Sequence, residues 1–124
     1  FSKAAGKPVR VTLTPHLLPQ NRGILATIYV KGDLQRIQNS LEKRYMDEEF
    51  INVMSLNTLI STRHVRGSNF CHIGVCESSK KDVVVIFSSL DNLIKGSSGQ
   101  AIQNANLLFG LEENSGLVAT SLFP

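Results

Sequence analysis

The chain is 124 residues long, the size of one domain, and its 42% hydrophobic content argues against disorder across its body and supplies enough apolar matter for a core. The net charge of +3 comes from scattered lysines and arginines; with no basic stripe interleaved with aromatics, it argues against nucleic-acid binding and is compatible with an anionic small-molecule substrate. No apolar run reaches the roughly 18–20 residues of a membrane span, and no signal peptide is visible.

Residues 1–8 are small and polar, with Gly6 and Pro8, and read as a linker or frayed end. Val9, Val11 and Leu13 alternate with Arg10, Thr12 and Thr14, the period of a strand. Pro15 and Pro19 then bracket a loop, because neither can donate to a ladder. Residues 24–30 form a dense run rich in β-branched side chains, which predicts a central strand. Gly32 ends it, and Asp33 is placed to cap a helix carrying Leu34, Ile37, Leu41 and Tyr45 on one face.

An acidic turn, Asp47, Glu48 and Glu49, precedes a short strand around Phe50 to Met54. Residues 56–69 read as an extended arm through Leu59, Ser61, Arg63 and Val65. Residues 70–76 and 82–89 form a predicted strand pair joined by a polar turn. A polar loop with Gly96 and Gly99 then leads into a last helix with Ile102, Ala105, Leu108 and Phe109 on a shared side and Gly110 as its C-cap. The tail from Leu117 to the end is apolar. Several strands, two main helices and few βαβ spacings indicate an α+β fold, a mainly antiparallel mixed sheet with helices on one face.

Cys71 and Cys76 lie five apart, and an odd spacing on one strand sends their side chains to opposite faces. A disulfide between them is therefore not expected, a zinc site lacks its other ligands, and both read as reduced, half-buried thiols.

Three strings carry a resemblance: TPHLLPQNRGILAT at residues 14–27, VRGSNFCHIG at 65–74, and Asp91, Asn92, Leu93, Lys95, Gly96, Gly99, Gln100, Ala101, Gln103 and Asn104 within 88–110. In order and spacing they resemble the C-terminal part of the N-acetyl-gamma-glutamyl-phosphate reductase family, and the likeness runs from about Val9 to the end. Gln20 departs from a methionine expected there, and residues 56–62 lack an expected proline.

The resemblance implies an NADPH-dependent oxidoreductase of arginine biosynthesis that reduces N-acetyl-L-glutamyl 5-phosphate to N-acetyl-L-glutamate 5-semialdehyde. It implies a sheet like the catalytic domain of glyceraldehyde-3-phosphate-type dehydrogenases. It also implies a homo-oligomer, cytoplasmic or, in a plant, plastid. The chain lacks a Gly-x-Gly-x-x-Gly dinucleotide fingerprint, and the family's catalytic cysteine and paired histidines precede the matched region. The expectation is a fragment, inactive alone, with no catalytic residue of its own. Residues 1–90 are expected to belong to a substrate and dimerisation domain, and residues 91–124 to a loop, helix and tail packing on an NADP-binding domain outside this chain.

Several residues are candidates for contacts. Arg22, between Asn21 and Gly23, can aim a rigid donor fork at a carboxylate or phosphate; the competing reading is a surface arginine capping a loop. His16 either contacts substrate or serves as a structural hydrogen-bonder. In the last loop and helix, Asn92, Lys95, Gly96, Gly99 and Gln100 are candidate cofactor contacts, Asn92 for a nicotinamide carboxamide and the glycines for close backbone approach. Asp91 is expected to fix this loop, and Gln100 and Asn104 to share a helix face. Cys71 is rejected as a nucleophile because it lies within a strand without a helix N-terminus to lower its pKa. No metal site is expected. Two alternatives remain: a non-catalytic oligomerisation or ligand-binding module, and a sister reductase acting on aspartyl phosphate or carrier-linked aminoadipyl phosphate.

Overall fold

A computed structural model describes residues 1–122; Phe123 and Pro124, the end of the expected apolar tail, lie outside the described residues. The strands β1 (Ile24–Lys31), β2 (Ile51–Val53), β3 (Cys71–Glu77) and β4 (Val83–Leu90) form one sheet in the order β1-β4-β3-β2. β1 pairs antiparallel with β4 and β4 antiparallel with β3, whereas β2 runs parallel to β3. This is the mainly antiparallel mixed sheet the sequence predicts.

The β3–β4 hairpin turns through Asp82, which takes a left-handed conformation with φ 59, a region where a short polar side chain is tolerated. Alternation places Cys71, Ile73 and Val75 of β3 on one face with Ile86, Ser88 and Leu90 of β4. His72, Gly74 and Cys76 point to the other, under the segment that carries Thr58 and Ile60. The two cysteines thus lie on opposite faces, both free and both buried.

The helix α2 (Leu34–Tyr45) lies over the first face, with Ile37 and Leu41 beside Ile86. Its N-cap Asp33 accepts a hydrogen bond from the Arg36 N–H at 2.8 Å. Gln38, buried on the inner side, donates to the Met54 carbonyl at 3.0 Å and so ties α2 to the chain leaving β2. A one-turn π-helix, Ile94–Ser98, and the helix α3 (Gly99–Leu108) follow β4. Gly96 sits against Leu90, which keeps this segment on the same face as α2. Fully buried Val65 and Val75 and the Phe50–Phe70 ring pair, 5.6 Å between centroids, mark the core.

The sequence reading is corrected at four places. Residues 1–8 are not a plain linker: Ser2–Ala5 form a single helical turn, closed by Gly6 at φ 63. Residues 9–14 alternate as a strand does but join no ladder among the described residues, and Leu13 is 84% exposed; alternation reports one-sided burial, and a strand exists only beside a partner. The run at residues 24–30 is an edge strand, not a central one, because β1 pairs on one side alone. Ile24, Leu25, Ile28 and Tyr29 on it are exposed, and Ala26 and Val30 are half-buried. Residues 56–69 are no extended arm, since Ser61 caps a 3-10 turn, Thr62–His64, by accepting from the Arg63 N–H at 3.3 Å.

Along α3, Ile102, Ala105, Leu108 and Phe109 do share a side, but that side faces outward, with Leu108 80% and Phe109 74% exposed. The buried residues of the helix are Gly99, Gln103 and Asn106. Gly110, at φ 67, closes the helix as expected: the Leu111 N–H reaches back to the Asn106 carbonyl at 2.8 Å, the six-to-one bond of a Schellman end.

Replacing Asp33 with Ala removes the α2 cap without touching the core, and is expected to cost about 1 kcal/mol. Urea denaturation of the two proteins, compared at constant slope, measures it.

Candidate functional site

The site forms where β1 begins and β4 ends, and it is built around Asp91, whose side chain is fully buried. One carboxylate oxygen, Oδ1, accepts from the Leu93 and Ile94 N–H groups at 2.8 and 3.0 Å. The other, Oδ2, accepts from the Gly67 N–H at 2.7 Å and faces Arg22 Nε at 3.3 Å. Burial alone would raise this carboxyl pKa, but the backbone donors of Gly67, Leu93 and Ile94, with Arg22, outweigh it, and the net shift is downward.

The same carboxylate explains why the chain enters a π-turn. With the Leu93 and Ile94 donors taken by the side chain, the next bonds span five residues, Gly96 N–H to the Asp91 carbonyl at 2.9 Å and Ser98 N–H to the Leu93 carbonyl at 3.1 Å. The neighbouring Asn92 turns its Oδ1 to the Gly23 N–H at 2.8 Å, joining this turn to the start of β1. Gly23 is required there: at φ 110, a Cβ would lie 2.6 Å from the Thr62 Cβ. Gln20 donates to the Gly23 carbonyl at 3.1 Å, so the residue that departs from the expected methionine still braces this loop.

Arg22 is therefore held from behind. Its Nε lies 3.3 Å from the Asp91 carboxylate as an ion pair without a hydrogen bond, its side chain keeps 27% exposure, and neither Nη donates to a described residue. A planar guanidinium anchored at Nε presents its outer edge in a fixed direction. His16 lies in an exposed stretch with no side-chain hydrogen bond to a described residue, and the structure does not bring it into the Asp91 cluster.

The candidate cofactor contacts separate into two groups. Asn92 is half-buried with its acceptor used, and its Nδ2 has no partner among the described residues; Gly96 is exposed in the π-turn; Gln100 donates to Asn104 Oδ1 at 3.0 Å on the helix surface. Lys95 and Gly99 instead face inward. Lys95 Nζ donates to Gln103 Oε1 at 2.7 Å and lies 5.4 Å over the Phe50 ring. Burial pushes its pKa down, opposed by Cys71, Glu113 and Glu48. Gly99 is buried, and a Cβ on it would collide with Asn69 Oδ1 and the Ile94 carbonyl, so its close backbone approach is to Asn69.

Sequence reasoning missed the polar underside of α3. Asn69 Nδ2 and Lys95 Nζ converge on Gln103 Oε1, whose own amide donates to Glu113. Asn106 donates to the carbonyls of Glu113 and Ser115, both at 3.0 Å. No local pattern marks Asn69 or Glu113, because their partners lie far along the chain. Neither thiol is placed as a nucleophile: burial raises the Cys76 pKa, and Cys71 contacts Ser88 Oγ at 3.4 Å inside the sheet. Among the described residues no group of three or more His, Cys, Asp or Glu could hold a metal ion, and no helix is long and apolar enough to cross a membrane.

A family model described as the semialdehyde dehydrogenase dimerisation domain matches residues 1–92. Similar proteins named N-acetyl-gamma-glutamyl-phosphate reductase occur in Roseobacter denitrificans, at 52% identity, in Cereibacter sphaeroides, at 54%, and in Jannaschia, at 55%. Each match covers all of this chain but only 36% of the relative's length.

Replacing Asp91 with Ala strands three buried N–H groups and is expected to destabilise the fold by about 3 kcal/mol. Because the folded pKa is below the unfolded one, the carboxylate's contribution is present above the ordinary Asp range and is lost as pH falls through it. The melting temperature should therefore fall more steeply on acidification in the native protein than in Asp91→Asn, and equal slopes would contradict this assignment.

Proposed function

This chain belongs to the semialdehyde dehydrogenase dimerisation-domain family, and on that premise we propose that it is the C-terminal part of an NADPH-dependent acyl-phosphate reductase. The proposed reaction converts N-acetyl-L-glutamyl 5-phosphate to N-acetyl-L-glutamate 5-semialdehyde, in arginine biosynthesis. The relatives' names support the substrate, and the observation that carries the role of this chain is the Asp91-braced guanidinium of Arg22. An acyl phosphate with an α-carboxylate offers a planar carboxylate and a tetrahedral phosphoryl group, and a fixed guanidinium fork recognises either through paired hydrogen bonds.

In this reading Arg22 binds and orients the anionic substrate, and Asp91 positions Arg22. His16 is proposed as a second substrate contact, reached only when its exposed loop folds over the anion. The cofactor supplies hydride when bound. Of the residues here, Asn92 and Gly96 fit the nicotinamide side, because an unpaired amide N–H and an exposed glycine backbone meet in one turn. Lys95 and Gly99 act from behind it, fastening α3 to the core. The buried Cys71 and Cys76 cannot serve as the attacking thiolate, so that group comes from outside these residues.

The outward apolar side of α3 is proposed as the seat of the nucleotide-binding domain, in keeping with residues 91–124 returning to that domain. The exposed apolar side chains of β1 are proposed as part of a subunit interface, supported by the family description. A cytoplasmic location follows from the biosynthetic role.

In the intact enzyme, Arg22→Ala should lower kcat/KM for N-acetylglutamyl phosphate about 10- to 100-fold, the worth of one charged contact. Arg22→Lys should restore little of it, because a point charge lacks the fork. Forward assays following NADPH consumption with N-acetylglutamyl phosphate test this; unchanged constants in Arg22→Ala would remove the anion role. Faster turnover of an aspartyl or aminoadipyl substrate would reassign the substrate. Leu108→Glu should loosen the domain contact, read as faster limited proteolysis of the intact protein with unchanged circular dichroism.

A further inference from the structure

The described structure leaves a small set of buried polar atoms without a partner, and two of them face each other across the sheet. Ser89 is fully buried, and its Oγ has no hydrogen-bond partner. His72 Nδ1 is equally shut off from solvent and equally unpartnered. His72 of β3 is paired in register with Ser89 of β4. Directly opposed residues of an antiparallel pair carry their side chains on the same face, with Cβ atoms about 4.5–5.5 Å apart. The two orphans therefore share one place, on the face of the sheet opposite α2, bordered in register by Asn52 of β2 and Leu25 of β1.

Buried hydroxyls and ring nitrogens in folded proteins almost always have a partner, and leaving one unmade costs about 1–3 kcal/mol. No protein group supplies it for either atom here. We propose that one internal water molecule is bound between His72 Nδ1 and Ser89 Oγ as a permanent part of the β3–β4 pair. The water donates to His72 Nδ1, and its remaining hydrogen or lone pair meets the Ser89 hydroxyl, whose proton rotates to suit.

The assignment fixes the chemistry of the histidine. Nδ1 must accept, so the ring is neutral and carries its proton on Nε2. Burial and the nearby His64 both disfavour the charged ring, in agreement with that form. The bound water also accounts for a polar pair at the inner end of otherwise apolar strands. Ser89 stands two positions before Asp91, so the water stiffens the strand end from which the buried carboxylate projects.

A crystal structure of the intact protein, at a resolution that shows ordered solvent, tests this together with nitrogen-15 NMR of His72. The expected result is a single water within hydrogen-bond distance of both atoms and an Nε2–H tautomer with a hydrogen-bonded Nδ1. In Ser89→Ala the water density should be lost and the Nδ1 resonance should move toward that of an unbonded ring nitrogen. A direct hydrogen bond from Ser89 to His72, an Nδ1–H tautomer, or the absence of any density between them would overturn the proposal. So would a water that persists unchanged in Ser89→Ala. If that variant does not fold, density and tautomer in the native protein decide the matter on their own.

Discussion

A carboxylate taken entirely out of water organises this structure. An isolated buried charge is too costly to persist, so Asp91 is tolerable only while its oxygens are filled by donors. Those donors come from two separate stretches, the turn at Gly67 and the π-turn at Leu93 and Ile94, and Arg22 before β1 adds the balancing charge as an ion pair. Satisfying one side chain thus fixes where β1 starts, how the chain leaves β4, and where the segment before β3 passes. The Asn92 bond to Gly23 repeats the connection one residue later. Since Arg22 is both a support of Asp91 and the proposed anion contact, loosening either end alters the aim of the other.

The helix α3 inverts the usual arrangement. Most surface helices bury an apolar stripe; this one buries Gln103 and Asn106 and turns Leu108 and Phe109 outward. Its attachment is directional, through Asn69, Lys95 and Glu113, rather than through apolar area. Hydrogen bonds of this kind set orientation sharply while contributing modest net stability. A helix held by bonds below and offering hydrocarbon above has the chemistry of a connector between two bodies. The edge strand β1 shows a related pattern, its ladder complete on one side and Ile24, Leu25, Ile28 and Tyr29 exposed.

The two proposed interfaces and the anion contact lie on one continuous path. From Arg22 the chain enters β1; from Asp91, beside it, the chain enters α3. A displacement of α3 would act on the π-turn, whose first donors are the ones Asp91 holds. In this way the proposed substrate contact, cofactor side and subunit face are joined through a few atoms rather than through a large core.

Local chemistry determined much of this protein directly from the residue order. Asp33 capping α2, the β3–β4 hairpin, Gly110 ending α3 and the opposite faces of Cys71 and Cys76 all depend on neighbours within a few positions, which is the range over which caps, turns and side-chain alternation act. Residue type and family likeness also singled out Arg22 and the turn after β4, which the structure joins at Asp91. Tertiary structure alone decided what those residues face. Lys95 reads as a candidate cofactor contact until Phe50 and Gln103 are brought beneath it. Gly99 reads as a cofactor glycine until Asn69 is set against it. The run at residues 24–30 reads as central until the sheet order leaves it at an edge, and the stripe on α3 reads only as a shared side until polar partners claim the opposite one and leave it outward. Periodicity records that a face is apolar; it carries no information on whether the chain itself or another body covers that face, because the covering atoms are distant in sequence or belong elsewhere.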